Sequence, residues 1–222
     1  MDKVLIYCGA HKGDGLVNEL NGGTAYGGDG SGGYDKVYVF EANPYLYEKL
    51  QERFKSDPRI NIYNTILTTE HDVDMDFHLI DPNGTNKWYS STITKLEDWN
   101  PEYFKISGNK MKQTEIVNLK TTNLNTFCEN EGIDEVFKVI TDLEGYDFSI
   151  LKTLKPMIDD KKIRWIQSEV EPDHQPVKYK DIDNKEHSFK ELLGDNYVEY
   201  WRDNVPAIYF HVDITWRRAD YV

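Results

Sequence analysis

The stretch FKVITDLEGYDFSILKTL, Phe137–Leu154, decides how this chain folds. It opens on a run, Phe137–Asp142, whose apolar content marks a buried strand. Asp142, Glu144 and Gly145 follow, and then Phe148, Leu151, Leu154 and Ile158 recur at helical spacing. Strand, acidic turn and amphipathic helix together make one step of an α/β sheet. Acids at the carboxyl end of a central strand face the crevice in which such sheets bind ligands. Asp142 holds that place here, and Glu169 in IQSEVEP ends the next strand in the same way. For Glu144 and Asp147 a helix-capping or solvated role is a fair reading, and it is less fair for Asp142 and Glu169 because their strands read as buried.

The same step occurs at the start of the chain. VLIYCGAHKGDG, Val4–Gly15, runs from an apolar strand into a turn with glycines at 9, 13 and 15. Strand, glycine turn and helix form the α/β recipe for a nucleotide cofactor, with backbone N–H groups facing the ligand. The spacing Gly9-x3-Gly13-x-Gly15 is not the G-x-G-x-x-G of the NAD fingerprint. The second strand ends at Glu41 in VYVFEANP, an acid placed to hydrogen-bond ribose hydroxyls. Together the two halves predict an adenosine-type ligand.

Other strands are expected at Ile60–Ile66, Met75–Ile80, Ile116–Leu119, Trp165–Glu169, Val198–Trp201 and Ala207–Val212. Helices are expected after Asn43-Pro44 (Leu46, Leu50 and Phe54 in one stripe), after Thr122 or Asn123 with a stop at Gly132, and over Phe189–Leu193 with a stop at Gly194. Strands alternating with helices predict a mostly parallel sheet. The last two strands, joined by a turn at Asp203–Pro206, predict an antiparallel hairpin. Residues 71–120 show strands and turns (Asp81-Pro82-Asn83-Gly84) and read as a β-rich insertion within one domain spanning 1–222. NGGTAYGGDGSGG, Asn21–Gly33, lacks the Lys-Ser/Thr of a phosphate loop and reads as a flexible surface loop.

With 222 residues, 39% hydrophobic and 29% charged, the composition is that of a soluble globular domain. No run approaches the ~18 apolar residues of a membrane span. The start lacks the marks of a signal peptide. Cys8 and Cys128 give neither a disulfide framework nor a zinc spacing, and they read as core residues in a reducing cytoplasm. A net charge of −13 disfavours nucleic acid as partner. The lysines between Lys105 and Lys112 read as a solvated loop.

In its motifs the chain resembles the FkbM family of S-adenosylmethionine-dependent methyltransferases. The stretches that carry the resemblance are Tyr7-Cys8-Gly9-Ala10-His11-Lys12-Gly13, Glu41-Ala42-Asn43-Pro44, Tyr89-Ser90-Ser91-Thr92, Thr141-Asp142-Leu143-Glu144-Gly145 with Ile150-Leu151, and Ser168-Glu169-Val170-Glu171-Pro172. They cover roughly Val4 to Pro172. Tyr7 stands where the family has an acid and His11 where it has Asn. The resemblance implies a Rossmann-like class I methyltransferase sheet, mostly parallel, whose C-terminal hairpin supplies the antiparallel strand. It implies S-adenosylmethionine at the carboxyl edge, with Gly9, Ala10, His11 and Gly13 beneath its methionine part, Glu41 on the ribose, Asn64-Thr65 near adenine, and Asp142 facing the methyl group.

The function expected is methylation of a hydroxyl on a sugar or small molecule. Asp142 is the first candidate for base or substrate positioning, Glu169 the second, with His174 and His11 behind. No metal is assigned. Asp142, Glu169, Glu171 and Asp173 form the alternative, a Mg²⁺ site. The aromatics Trp88, Tyr89, Trp99 and Tyr103 are expected to shape acceptor choice or to fill a small core. Two rivals stand beside this reading. One is a cofactor-binding protein without catalysis, suggested by Tyr7. The other is a nucleotide-dependent oxidoreductase or epimerase, disfavoured by the glycine spacing.

Overall fold

The computed structural model describes residues 2–23, 32–82, 91–101, 111–175, 177–203 and 211–221. β1 (Val4–Cys8) leads through the glycine turn into α1 (Asp14–Leu20), and β2 (Lys36–Phe40) leads into α2 (Pro44–Phe54). Asn43 caps α2, its side chain accepting from the amides of Tyr45 (3.0 Å) and Leu46 (3.4 Å), and Pro44 sits where no amide partner is needed. β3 (Ile60–Tyr63) and β4 (Ile66–Leu67) follow, then β5 (Asp74–Pro82) and β6 (Met111–Thr122). After α3 (Leu124–Glu131) come β7 (Val136–Thr141), α4 (Asp147–Thr153), α5 (Lys155–Asp159) and β8 (Ile163–Val170). α6 (Glu186–Leu193), β9 (Tyr197–Arg202) and β10 (Val212–Arg218) complete the chain.

The main sheet has seven strands in the order β3-β2-β1-β7-β8-β10-β9. The first five are parallel, and β10 runs antiparallel to both neighbours. This is the Rossmann-like class I methyltransferase sheet with its C-terminal hairpin. Strand periodicity explains its two cores. Val4, Ile6 and Cys8 of β1 pack toward α3, α4, α5 and α6, while Leu5 packs with Leu16 of α1 and Leu50 of α2 on the other face. A second sheet, β4-β6-β5, builds the β-rich insertion, and Ile66, Phe77 and Leu79 form its own core.

Four expectations change. The run Ile60–Ile66 is two strands in two sheets. The chain turns between them because Asn64 donates to the carbonyls of Glu41 (2.9 Å) and Ala42 (3.0 Å) while the Thr65 hydroxyl donates to that of Lys120 (2.6 Å). The stripe from Phe148 to Ile158 is two helices, parted at Leu154 because Pro156 has no amide to continue the ladder. Asp81 and Pro82 belong to β5, opposite Lys112 and Met111, and not to a turn. The last strand runs over Val212–Arg218, past the expected end at Val212, because Ile214 and Trp216 pack into the core, while residues 207–210 of the expected Ala207–Val212 lie outside the described residues. The turn residues Asn83, Gly84 and 204–206, most of the glycine-rich loop (24–31), Trp88, Tyr89, Ser90, Tyr103 and Lys105 lie outside the described residues.

Candidate functional site

A cavity of about 530 Å³ opens at the carboxyl ends of β1, β2, β7 and β8, where strand order reverses between β1 and β7. Residues 65–67, Phe77 and residues 91–93 wall it from the side of the insertion.

One half of the cavity is built from backbone. The Gly9 amide donates to the Phe40 carbonyl (2.9 Å) and the Asp142 amide to that of Cys8 (3.0 Å), so three strand ends are tied together. Gly9 has φ +80°, and a Cβ there would lie 1.9 Å from the Asp142 carbonyl oxygen. No other residue fits. His11 follows in the left-handed region at φ 50°, and its amide donates to Glu41 (2.8 Å). The Asn43 amide donates to the other oxygen of the same carboxylate (2.9 Å). Burial nevertheless raises the Glu41 carboxyl to about 7, with these two amides pulling it down. Gly9, Ala10, His11 and Glu41 all line the cavity.

Gly13 and Asn64 are not among its lining residues. Gly13, at φ +81°, packs against α2, where a Cβ would meet the Phe54 ring at 2.7 Å. Asn64 is spent on the two carbonyls that turn the chain. Both act behind the wall. Tyr7 lines the cavity, and its hydroxyl lies over the first turn of α1, where a Cβ on Gly15 would come within 2.4 Å of it.

The other half is built from side chains. Burial, then the charges of Glu144, Asp147 and Asp213, push the buried Asp142 carboxyl well up. Burial, then Asp142 and Glu144, do the same to Glu169. Asp147 is the cap of the turn and accepts from the amides of Leu143 (3.0 Å) and Gly145 (3.3 Å). Glu144, held at φ 54°, pairs with the Lys178 ammonium. His211 Nδ1 lies 3.0 Å from Glu169 Oε1, and Asp213 stands opposite Glu169 across the strands. Lys178, His211 and Asp213 line the cavity.

The sequence did not point to these three. Lys178 sits in a stretch without periodicity, and placing the last strand at Ala207–Val212 hid the fact that His211 and Asp213 open β10. The register of β10 against β8 is the signal that finds them. Lys178 is held by a clasp between distant segments. The Asn100 amide donates to the Lys178 carbonyl (3.0 Å), the Lys180 amide donates to that of Asp98 (3.2 Å), and the Trp99 and Tyr179 rings meet edge to face at 4.9 Å. Trp99 is thus core to the clasp. Thr94 and Tyr146 bond through their hydroxyls at 2.7 Å beside it.

The alternative Mg²⁺ quartet does not converge. Glu171 accepts from the Lys178 amide (2.8 Å), and Asp173 pairs with His187 at the surface (2.9 Å). No group of three or more His, Cys, Asp or Glu among the described residues is arranged to hold a metal. His174 is exposed and does not line the cavity. No helix among the described residues is long and apolar enough to cross a membrane.

Residues 8–194 match the family model described as the methyltransferase FkbM domain. No curated protein matches the chain. Among solved structures, the chain is similar to an rRNA methylase from Streptococcus thermophilus at 8% identity and TM-score 0.48, covering 98% of this chain and 87% of that one. It is similar to M. capricolum TrmK with S-adenosylhomocysteine bound at 9% identity and TM-score 0.47, covering 99% and 65%. It is similar to Aeropyrum pernix fibrillarin with natively bound S-adenosylmethionine at 9% identity and TM-score 0.47, covering 97% and 66%. The match from Cys8 to Gly194 spans most of the chain, and the chain belongs to the FkbM family of S-adenosylmethionine-dependent methyltransferases.

Proposed function

We propose that the chain works as one domain that methylates a hydroxyl of a sugar or small molecule, with S-adenosylmethionine as donor and residues 71–120 on the acceptor side. The observation that carries this reading is the split of one cavity into a backbone-built half and an acid-lined half. The residues present fit the donor. Gly9 gives a floor without a side chain, and Glu41 offers a carboxylate at the ribose position. Gly9, Ala10 and His11 hold the methionine part, and Gly13 and Asn64 brace the turns that carry them.

When bound, the sulfonium supplies a methyl group ready for in-line displacement, so alignment is most of the remaining task. Asp142 and Glu169 hold the acceptor hydroxyl. The raised proton affinity of Asp142 makes it a hydrogen-bonding partner in place of a resting anion. The acidic lining disfavours phosphate-bearing acceptors, nucleic acid included. Buried, unpaired Cys8 and Cys128 suit a cytoplasmic setting. A binding-only reading draws on Tyr7 in place of the family's acid.

The test is calorimetry with S-adenosylmethionine against NAD, followed by transfer of labelled methyl across glycans and small hydroxyl compounds. Binding of the first ligand alone, with label in a neutral acceptor, supports the proposal. Preference for NAD defeats it. Binding without transfer to any acceptor favours the binding-only reading.

A further inference from the structure

Glu169 and His211 form a couple that alignment alone does not use. Glu169 lies at the end of β8, and His211 immediately precedes β10. Residues two apart along a strand share a face. His211 and Asp213 therefore sit on the face that Glu169 presents to the cavity, and all three line it. Nδ1 of His211 is 3.0 Å from Glu169 Oε1. Nε2 has no partner among the described residues. With Glu169 accepting from Nδ1–H, the ring carries its proton there and leaves a lone pair on Nε2.

We propose that His211, its ring held by Glu169 through Nδ1, accepts the proton of the acceptor hydroxyl on Nε2. The assignment rests on the methyl-transfer reading of the cavity. As the acceptor oxygen bonds to the methyl carbon, the carbon–sulfur bond breaks with its electron pair left on sulfur, and the O–H proton passes to Nε2. The resulting imidazolium lies against Glu169 of β8. Asp142, just past β7, and Asp213 of β10 line the same cavity as acids, and Lys178 opposes the imidazolium as a cation. Burial, then Lys178, lower the resting imidazole to about 4, so the ring is neutral before the acceptor binds. Asp142 and Glu169 are positioning residues in this scheme.

The experiment is long-range ¹H–¹⁵N spectroscopy of the histidine rings in the full chain, from about pH 8 to about pH 5, with and without S-adenosylhomocysteine. His211→Gln assigns the signal, and His211→Asn serves if that variant does not fold. The expected result is a neutral His211 with its proton on Nδ1 throughout, giving way to a mixture of tautomers in Glu169→Ala. A proton on Nε2 at neutral pH overturns the proposal, because that nitrogen then has nothing to accept with. Calorimetry with S-adenosylhomocysteine on the same samples separates the two failures. Absence of binding defeats the methyltransferase reading, while the tautomer is read without any acceptor. Where label is transferred, His211→Gln lowers turnover by roughly 10²–10⁴-fold. Unchanged turnover in the folded variant overturns the proposal.

Discussion

Two carboxylates at strand ends, Glu41 and Glu169, show how differently the halves of this cavity are made. Glu41 is gripped by two backbone amides, those of His11 and Asn43. Glu169 is gripped by the His211 side chain and crowded by Asp142 and Glu144. The first arrangement is fixed by main-chain geometry and changes only if the turn changes. The second can be altered one side chain at a time with the fold left standing. On the proposed reading, with the donor on the backbone half and the acceptor on the side-chain half, such a site can keep its chemistry while its acceptor varies.

The comparison breaks first at Gly9. Gly9→Ala places a Cβ against the Asp142 carbonyl in a left-handed conformation. We expect a loss of roughly 3–5 kcal/mol in stability, measured by urea unfolding. A stable Gly9→Ala protein would show that the donor half is not built on that contact.

On the acceptor half the expected loss is in rate. Asp142→Asn keeps shape and removes the titrating proton, so turnover falls by about 10²-fold while cofactor affinity stays within a few-fold. A parallel fall in affinity would mean that the two halves are one.

Glu41 sharpens the contrast through pH. Glu41→Ala should lower cofactor affinity roughly ten- to a hundred-fold in a folded protein, the worth of a charged acceptor on hydroxyls. Ribose hydroxyls favour the ionised carboxylate, so wild-type affinity should rise with pH through about 7 and the variant's should not. Without ligand the sign reverses. The folded pKa of about 7 lies above the unfolded value, so the stability contribution is full below the unfolded pKa and is lost as pH rises through 7. Asp147, also raised to about 7, and Asp213, raised to about 6, act in the same direction. His211, lowered to about 4, opposes them only below its unfolded value. Between about pH 6.5 and pH 8 the ligand-free protein should therefore lose stability, roughly 1 kcal/mol of it through Glu41. Glu41→Gln should flatten the melting curve by that amount.

The smallest effect tests Tyr7. Gly15→Ala, normally a gain within a helix, should cost about 1 kcal/mol here because the new methyl meets the Tyr7 hydroxyl. Tyr7→Phe should restore part of it, and a double-mutant cycle measures the coupling. Additive effects would mean that the hydroxyl moves aside freely.

The backbone-built half of the cavity was partly legible in the sequence, because Gly9 and the strand-end Glu41 line it as their places predict, while Gly13 and Asn64 do not. His11 is a good example. At φ 50° the position suits Asn or His, both tolerant of that conformation, so His in place of the family's Asn preserves the backbone. The side-chain half was legible only where it belongs to a strand end, at Asp142 and Glu169. Lys178 reaches the cavity through a clasp between residues 98–100 and 178–180, and no local pattern announces such a contact. His211 went unnoticed because the strand was expected to end at Val212, whereas it continues to Arg218 and pairs with β8. Pro156 broke a stripe whose apolar residues nevertheless pack as the spacing required, with Leu151, Leu154 and Ile158 all buried.

The ends of the glycine-rich segment meet at a neck. A Cβ on Gly32 would touch the Gly22 amide nitrogen at 2.8 Å, and the Gly23 amide is bound to the Asn18 carbonyl at 2.8 Å. Below the neck, Tyr34 is anchored by a hydrogen bond to Glu19, which is paired with buried Lys138 at 2.8 Å. That neck is a candidate splice point: a tag or sensor inserted between residues 23 and 32 is expected to cost little in loop closure, and the melting temperature of the insertion variant checks it.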